Sequence, residues 1–107
     1  MRSELLKGNL DLLILAVLAG GPLHGYALIE ALRDRSSGAF DLPEGTIYPA
    51  LHRLEQSALL ASEWREHGGR RRRVYRITAS GRAAADQRRE EWSAFAGAME
   101  ALLGAAS

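Results

Sequence analysis

The spacing of apolar residues is helical along most of the chain and differs in one stretch, residues 59–78. Outside this stretch, apolar residues follow the spacing of α-helices. Inside it, they follow a short two-sided alternation that Gly68 and Gly69 interrupt. Two strands joined by a glycine turn are the simplest structure for this pattern, with Leu60 and Trp64 on one face. The chain is therefore expected to combine helices with a single β-hairpin.

Two helices are predicted at the beginning of the chain. The first contains residues 10–18, which are apolar on more than one face, so this helix is expected to be buried on most sides. It ends at residues 20–22, where two glycines precede a proline. The second covers about residues 25–35 and has a stripe of apolar side chains that includes Leu28 and Leu32.

A third helix is predicted from about Thr46 to Gln56, and its start is inferred from Pro49. Proline has no backbone NH and collides with the carbonyl four residues earlier, so it fits best in the first turn of a helix. The hydroxyl of Thr46 can then cap the helix. The side chains expected to face outward are Tyr48, His52, Arg53 and Gln56.

Basic residues are concentrated in one part of the chain. The net charge is only +1, but six of the 14 basic residues lie between residues 65 and 76, and all six are arginines. Four of them are consecutive and are expected at the tip of the hairpin, namely Arg70, Arg71, Arg72 and Arg73. Like charges repel, so this run favours an anionic partner such as DNA phosphate, with a solvated turn as the alternative.

The order of elements is that of a mainly α winged helix-turn-helix, with three helices, a two-stranded wing and a C-terminal helix. Residues 1–78 are predicted to form a DNA-binding domain, and residues 79–107 a C-terminal dimerisation helix. In this fold the third helix lies in the major groove, and its N-terminal end reaches bases and phosphates. Thr46 and Tyr48 are therefore expected at phosphates, and His52, Arg53 and Gln56 at base edges.

The last helix is predicted from residue 79 or 80 to about residue 103, and it has an apolar stripe at coiled-coil-like spacing. The members of the stripe are Trp92, Phe95, Ala96, Met99, Leu102 and Leu103. Such a seam predicts a homodimer. A second interpretation is that its aromatic members line a pocket for a small aromatic or hydrophobic effector, because flat ligands stack well on indole.

Several classes of protein are disfavoured by what the sequence contains. There are no cysteines, so disulfides and thiolate metal sites are excluded, which is compatible with the reducing cytoplasm. The apolar run at residues 10–18 is too short to span a membrane. His24, His52 and His67 are scattered, so neither a metal nor another cofactor is expected. No nucleophile, base and orienting group stand at recognisable spacing, so the chain is not expected to be an enzyme.

Three segments have a specific combination of residues: LHGY at 23–26, GTIYPALHRLE at 45–55 and YRITASG at 75–81. Together they resemble the short subgroup of PadR-like transcriptional regulators, which has a single C-terminal dimerisation helix. The resemblance implies a homodimer joined through that helix, repression of nearby genes, and release by a small molecule or stress signal. It also implies contacts of Tyr26, Thr46, Tyr48 and the four consecutive arginines with the DNA backbone.

The function predicted from the sequence is that of a dimeric, cytoplasmic repressor that binds a palindromic operator in double-stranded DNA. The alternative is a winged-helix module that docks a partner protein through the same face without binding DNA. Two residues also keep a purely structural interpretation. Tyr26 is equally compatible with a half-buried core position, and Tyr48 with an aromatic side chain covering the start of the third helix.

Overall fold

The computed structural model describes residues 3–104. The predicted fold class is confirmed, because this part of the chain folds as a winged helix followed by a long C-terminal helix. In chain order the elements are α1 (Ser3–Leu18), β1 (Leu23–His24), α2 (Gly25–Arg35), α3 (Glu44–Gln56), β2 (Leu60–His67), β3 (Arg70–Ile77) and α4 (Ala79–Leu103).

One hydrophobic core joins α1, α2, α3 and the sheet. Its helical members lie at the spacing predicted from the sequence, and among the described residues no polar or charged residue is buried with them. The largest fully buried side chains are Ile14, Leu15, Leu18, Leu28, Ile47, Leu51, Leu54 and Leu60. Burial of each such side chain stabilises the fold by about 1.5–3 kcal/mol. This core fixes α3 relative to α2 and the hairpin.

The start of α3 differs from the prediction. The helix begins at Glu44 instead of near Thr46, because Pro43 is its N-cap and the Pro43 carbonyl accepts hydrogen bonds from the Thr46 and Ile47 NH groups at 3.0 and 3.1 Å. Pro49 therefore lies inside the helix and not in its first turn. Its missing hydrogen bond falls on the exposed side, where water can satisfy the carbonyl four residues earlier.

The sheet is antiparallel and has the strand order β1-β3-β2. The predicted hairpin is confirmed, and its turn consists of Gly68 and Gly69, both with positive φ. The short strand β1 was not predicted; Leu23 pairs with Tyr75 in β3. The placement of all four consecutive arginines at the tip is wrong, because the glycines form the tip and residues 70–73 are the first half of β3.

The helix α4 begins where the sequence predicts and extends away from the rest of the molecule. Thr78 caps it, since its Oγ1 accepts a hydrogen bond from the Gly81 NH at 3.0 Å. The first turns pack on the core, where Gly81 and Ala85 are buried, but beyond residue 87 most side chains are exposed. The radius of gyration is 15.4 Å, against about 13 Å for a compact chain of similar length.

The division into residues 1–78 and 79–107 concerns function and stays a prediction. Residues 1–2, at the start of the first predicted unit, and residues 105–107, at the end of the second, lie outside the described part of the chain.

Candidate functional site

The outer face of α3 has a crest and two edges. Gly45, Pro49, His52 and Gln56 are exposed and form the crest, because they lie opposite the buried positions on a helix of about 3.6 residues per turn. Of the predicted base-reading residues, His52 and Gln56 are on this crest. Thr46 and Arg53 lie on the edge that faces α1, and Tyr48 lies on the edge that faces the hairpin.

A cleft of about 880 Å³ separates the hairpin edge of α3 from β3. It brings together most of the residues that the sequence predicts at the DNA backbone, although they come from three elements. The residues that line it are His24, Gly25, Tyr26, Glu30, Tyr48, His52, Trp64, Arg70, Arg71, Arg72, Arg73 and Tyr75. Tyr26 is 56% exposed at its rim, so the interpretation of this residue as half-buried core is wrong. Thr46, Arg53 and Gln56 are outside the cleft.

Tyr48 packs against the first residue of α2. A Cβ atom on Gly25 would lie 2.6 Å from the Tyr48 hydroxyl oxygen and 2.7 Å from Cε1, so only glycine allows this approach. The ring thus covers the start of α2 at Gly25. Burial, with a further contribution from the Glu44 carboxylate, raises the pKa of Tyr48, which keeps the hydroxyl protonated and able to donate.

The four consecutive arginines have different surroundings because successive residues of a strand face opposite sides. Arg71 and Arg73 lie on the face of Trp64, with guanidinium carbons 5.1 and 5.5 Å from the ring centre. Arg72 points the other way, and its Nη1 donates to His24 Nε2 at 3.1 Å. Within the described residues, Arg70 is exposed and has neither an ion pair nor a side-chain hydrogen bond.

Arg73 connects the hairpin to the end of α3. Its Nε donates to the Ser62 hydroxyl at 2.8 Å, that hydroxyl donates to Glu55 Oε2 at 2.6 Å, and Arg73 Nη2 lies 3.5 Å from the same carboxylate oxygen. Tyr75 is buried beside this group; burial raises its pKa, Arg73 opposes that shift and Glu55 adds to it. Arg73 therefore orients the hairpin and is not a free cation.

The environment of His24 also constrains its protonation. Burial lowers the pKa of His24, the Arg72 guanidinium lowers it further, and Glu30 raises it. Arginine can only donate, so the hydrogen bond from Arg72 requires His24 Nε2 to be an unprotonated acceptor. Arg72 is thus partly held against strand β1, where His24 lies.

Arg53 is turned toward α1 and not toward the cleft. Its Nη2 donates to Oδ1 of Asp11, whose other carboxylate oxygen lies 3.2 Å from Nη1 of Arg88 in α4. Sequence reasoning did not select Asp11, although an acidic residue within the apolar run of the first helix was a usable signal. It also did not select Gly25, which contacts Tyr48 of another helix, or Ser62 and Glu55, which bond to each other and to Arg73.

The predicted seam on α4 lies beside a groove of about 870 Å³ between α1 and α4. Trp92, Phe95, Ala96 and Met99 line this groove together with Leu5 and other residues of α1. Phe95 is 62% exposed and Leu102 is 87% exposed, and Leu103 is exposed as well. A large apolar stripe is thus uncovered in the single chain.

Two further observations concern other kinds of site. Across residues 3–104, no group of three or more His, Cys, Asp or Glu side chains is placed to hold a metal ion. None of the helices in this part of the chain is both long and apolar enough to cross a membrane.

Residues 14–87 match the Transcriptional regulator PadR-like family. The chain is 44% identical over 81 residues to the transcriptional regulator Rv3488 of Mycobacterium tuberculosis, which covers 76% of this chain and 73% of that protein. It is 32% identical over 84 residues to the transcriptional regulator YqjI of Escherichia coli, covering 78% of this chain and 39% of that longer protein.

Solved structures are similar over almost the whole chain. A transcriptional regulator from Clostridium thermocellum has a TM-score of 0.86 at 30% identity, covering 94% of this chain and 95% of that one. A PadR family regulator from Eggerthella lenta has a TM-score of 0.83 at 35% identity, covering 94% and 86%. Through the family match, the related sequences and the shared fold, this chain belongs to the PadR-like family of transcriptional regulators.

Proposed function

We propose that this transcriptional regulator acts as a cytoplasmic homodimer that binds a palindromic operator in double-stranded DNA and represses the adjacent genes. The observation that supports the proposal most is the cleft between α3 and β3. It places the aromatic hydroxyls of Tyr26 and Tyr48, the crest residue His52 and the arginines of the wing on one side of the molecule. Donors of this kind, arranged beside an exposed helix, suit a duplex whose phosphates flank a major groove.

In the proposed complex, the crest of α3 enters the major groove. Gly45 begins the crest and has no side chain to hold the helix away from the bases. His52 and Gln56 lie about one and two turns after Pro49. Both His52 and Gln56 can exchange hydrogen bonds with base edges, and we assign them the reading of sequence. Thr46 and Arg53, on the α1 edge, are assigned to one flanking strand.

The opposite flanking strand is assigned to the start of α2 and to the wing. Tyr26 and Tyr48 donate hydroxyl hydrogen bonds to phosphate there. Among the wing residues, Arg70 and Arg71 are the ones free to neutralise phosphates, because Arg72 bonds to His24 and Arg73 bonds to Ser62 and Glu55. The outer half of the wing, Arg70 and Arg71, therefore supplies affinity for DNA. The inner half, Arg72 and Arg73, fixes the orientation of the hairpin.

The exposed stripe on α4 supports a dimer. Trp92, Phe95, Met99, Leu102 and Leu103 expose apolar surface that a second copy of the chain would bury. Two copies related by a twofold axis recognise a palindrome, and the distance between the wings is then set by α4. The groove beside Trp92 is suited to a small aromatic or hydrophobic effector, whose binding would move the two α4 helices and release DNA.

Replacing Arg70 and Arg71 with glutamine is expected to weaken DNA binding much more than replacing Arg33 and Arg35. Both double variants remove two exposed positive charges, but the second pair lies at the end of α2 remote from Tyr26. Each lost phosphate contact reduces the salt slope of log K by about 0.9, or roughly eightfold in affinity at about 0.1 M salt. Titration of a fluorescent operator duplex at several salt concentrations measures both quantities. Equal slopes for the two double variants would contradict the role of the wing.

A further inference from the structure

A single carboxylate, that of Asp11, connects α1 with both α3 and α4. Oδ1 accepts a hydrogen bond from Arg53 in α3, and Oδ2 lies 3.2 Å from Nη1 of Arg88 in α4. Asp11 is the acidic residue within the apolar part of α1, and its side chain is 25% exposed. Arg88 fixes the second oxygen, so the carboxylate has a defined position beside α3 and cannot simply follow Arg53 into solvent.

The hydrogen bond between Arg53 and Asp11 lies on a surface that an approaching duplex would reach. Its side chain is 55% exposed and lies on the α1 edge of α3, one side of a shallow depression shared with Thr46 and Pro43. A guanidinium here is able to bond either to Asp11 or to a phosphate, and both partners are anionic acceptors of charge-assisted hydrogen bonds. Asp11 and the phosphate backbone therefore compete for the same cation.

We propose that Asp11 is a positioning residue that holds Arg53 toward α1 and so withholds it from the phosphates of nonspecific DNA. The inference rests on the proposed function. Any duplex offers phosphates, so a free Arg53 would add affinity for every sequence and lower the ratio of specific to nonspecific binding. While it is bonded to Asp11, Arg53 does not contact phosphate. It contributes to binding only when the crest fits the operator and places a phosphate within hydrogen-bond distance of the guanidinium.

The test is to replace Asp11 with asparagine, which keeps the size of the side chain and removes its charge. Asp11→Asn is expected to strengthen binding to a scrambled duplex roughly five- to tenfold per protomer at about 0.1 M salt, and to steepen the salt slope by about 0.9 per protomer. The operator should gain less, so the specificity ratio falls. Asp34→Asn is the matched control, since Asp34 also pairs with an arginine, Arg33 at 3.6 Å, at the remote end of α2.

Arg53→Gln identifies the route of the effect. In the wild-type background it is expected to weaken operator binding, where Arg53 contacts a flanking strand, and to change the scrambled-duplex slope by much less than about 0.9 per protomer, because Arg53 is withheld there. In the Asp11→Asn background it should abolish the whole gain. The inference is overturned if Asp11→Asn leaves the slope as in the wild type, if the gain persists without Arg53, or if Asp34→Asn produces the same gain.

The outcomes separate this inference from the proposed function. If the wild type binds the operator and Asp11→Asn does not change the scrambled-duplex slope, only the role of Asp11 is lost. If the wild type binds no duplex, the proposed function and this inference both fall. Arg53→Gln changes an exposed residue and should remain folded, so a large loss of scrambled-duplex affinity in that single variant also overturns the inference, even if Asp11→Asn proves unstable.

Discussion

Gly81→Ala is expected to destabilise the folded chain by about 3 kcal/mol, within the range for overpacking of a rigid site. A Cβ atom at this position would lie 2.1 Å from the Leu59 carbonyl oxygen and 2.7 Å from Cγ1 of Ile77. The carbonyl cannot easily move away, because it accepts a hydrogen bond from the Thr78 NH at 3.1 Å. The first turn of α4 must therefore separate from the hairpin, with loss of core packing.

Thermal or urea unfolding at a fixed protein concentration measures this effect, with Gly97→Ala as the matched control. Both glycines lie in α4, but nothing is within 4 Å of a Cβ at Gly97, so that change should stabilise the helix by roughly 0.5–1 kcal/mol. For a chain of this size, about 1 kcal/mol corresponds to a shift of about 4–8 °C in Tm. Similar Tm values for the two variants would contradict the close packing of α4 on the hairpin.

The double variant Trp92→Glu, Phe95→Glu is expected to be monomeric and to lose about 100-fold or more in affinity for a palindromic operator. Both side chains belong to the exposed stripe, and pairing two copies would bury four carboxylates in an apolar seam, which is strongly unfavourable. Without the dimer, the second half-site is no longer bound at the high effective concentration that a linked subunit provides. Sedimentation and operator titration measure the two consequences separately.

The matched control for the seam is Ala94→Glu, Ala101→Glu. These residues are also exposed on α4, but they lie on the side of the helix away from Trp92. This control should remain dimeric and bind DNA with nearly the wild-type affinity, apart from a small loss due to its added negative charge. A dimer that survives both double variants equally would rule out the stripe as the interface.

Local patterns predicted the four helices and the hairpin, but not strand β1 or the start of α3. The change of period at residue 59 and the glycine pair at the turn are properties of neighbouring residues, and they predicted the hairpin that the structure contains. The same holds for α2, which covers the predicted residues 25–35. The start of α3 was misplaced because two prolines compete for the role of start signal. Pro43 caps the helix, whereas Pro49 is tolerated inside it on the exposed side.

The details of the site depend on contacts between residues distant in sequence, which no local pattern contains. Arg53 and Asp11 are separated by 42 positions, and Arg72 and His24 by 48. Four consecutive arginines look equivalent in the sequence, but the pleat of β3 and the neighbours of each one divide them into an exposed outer half and a bonded inner half. The strand β1 was missed because two residues are too few for an alternation to appear.

In the proposed complex, the crest of α3 and the outer wing of two protomers bind DNA as a symmetric pair. Footprinting of the purified chain on the DNA upstream of its own coding region, together with titration of the protected and a scrambled duplex, tests it most directly. The expected result is one protected palindrome, with half-sites about one helical turn or a multiple of it apart, and a clear preference over the scrambled duplex. No protected segment and equal affinity for both duplexes would contradict it.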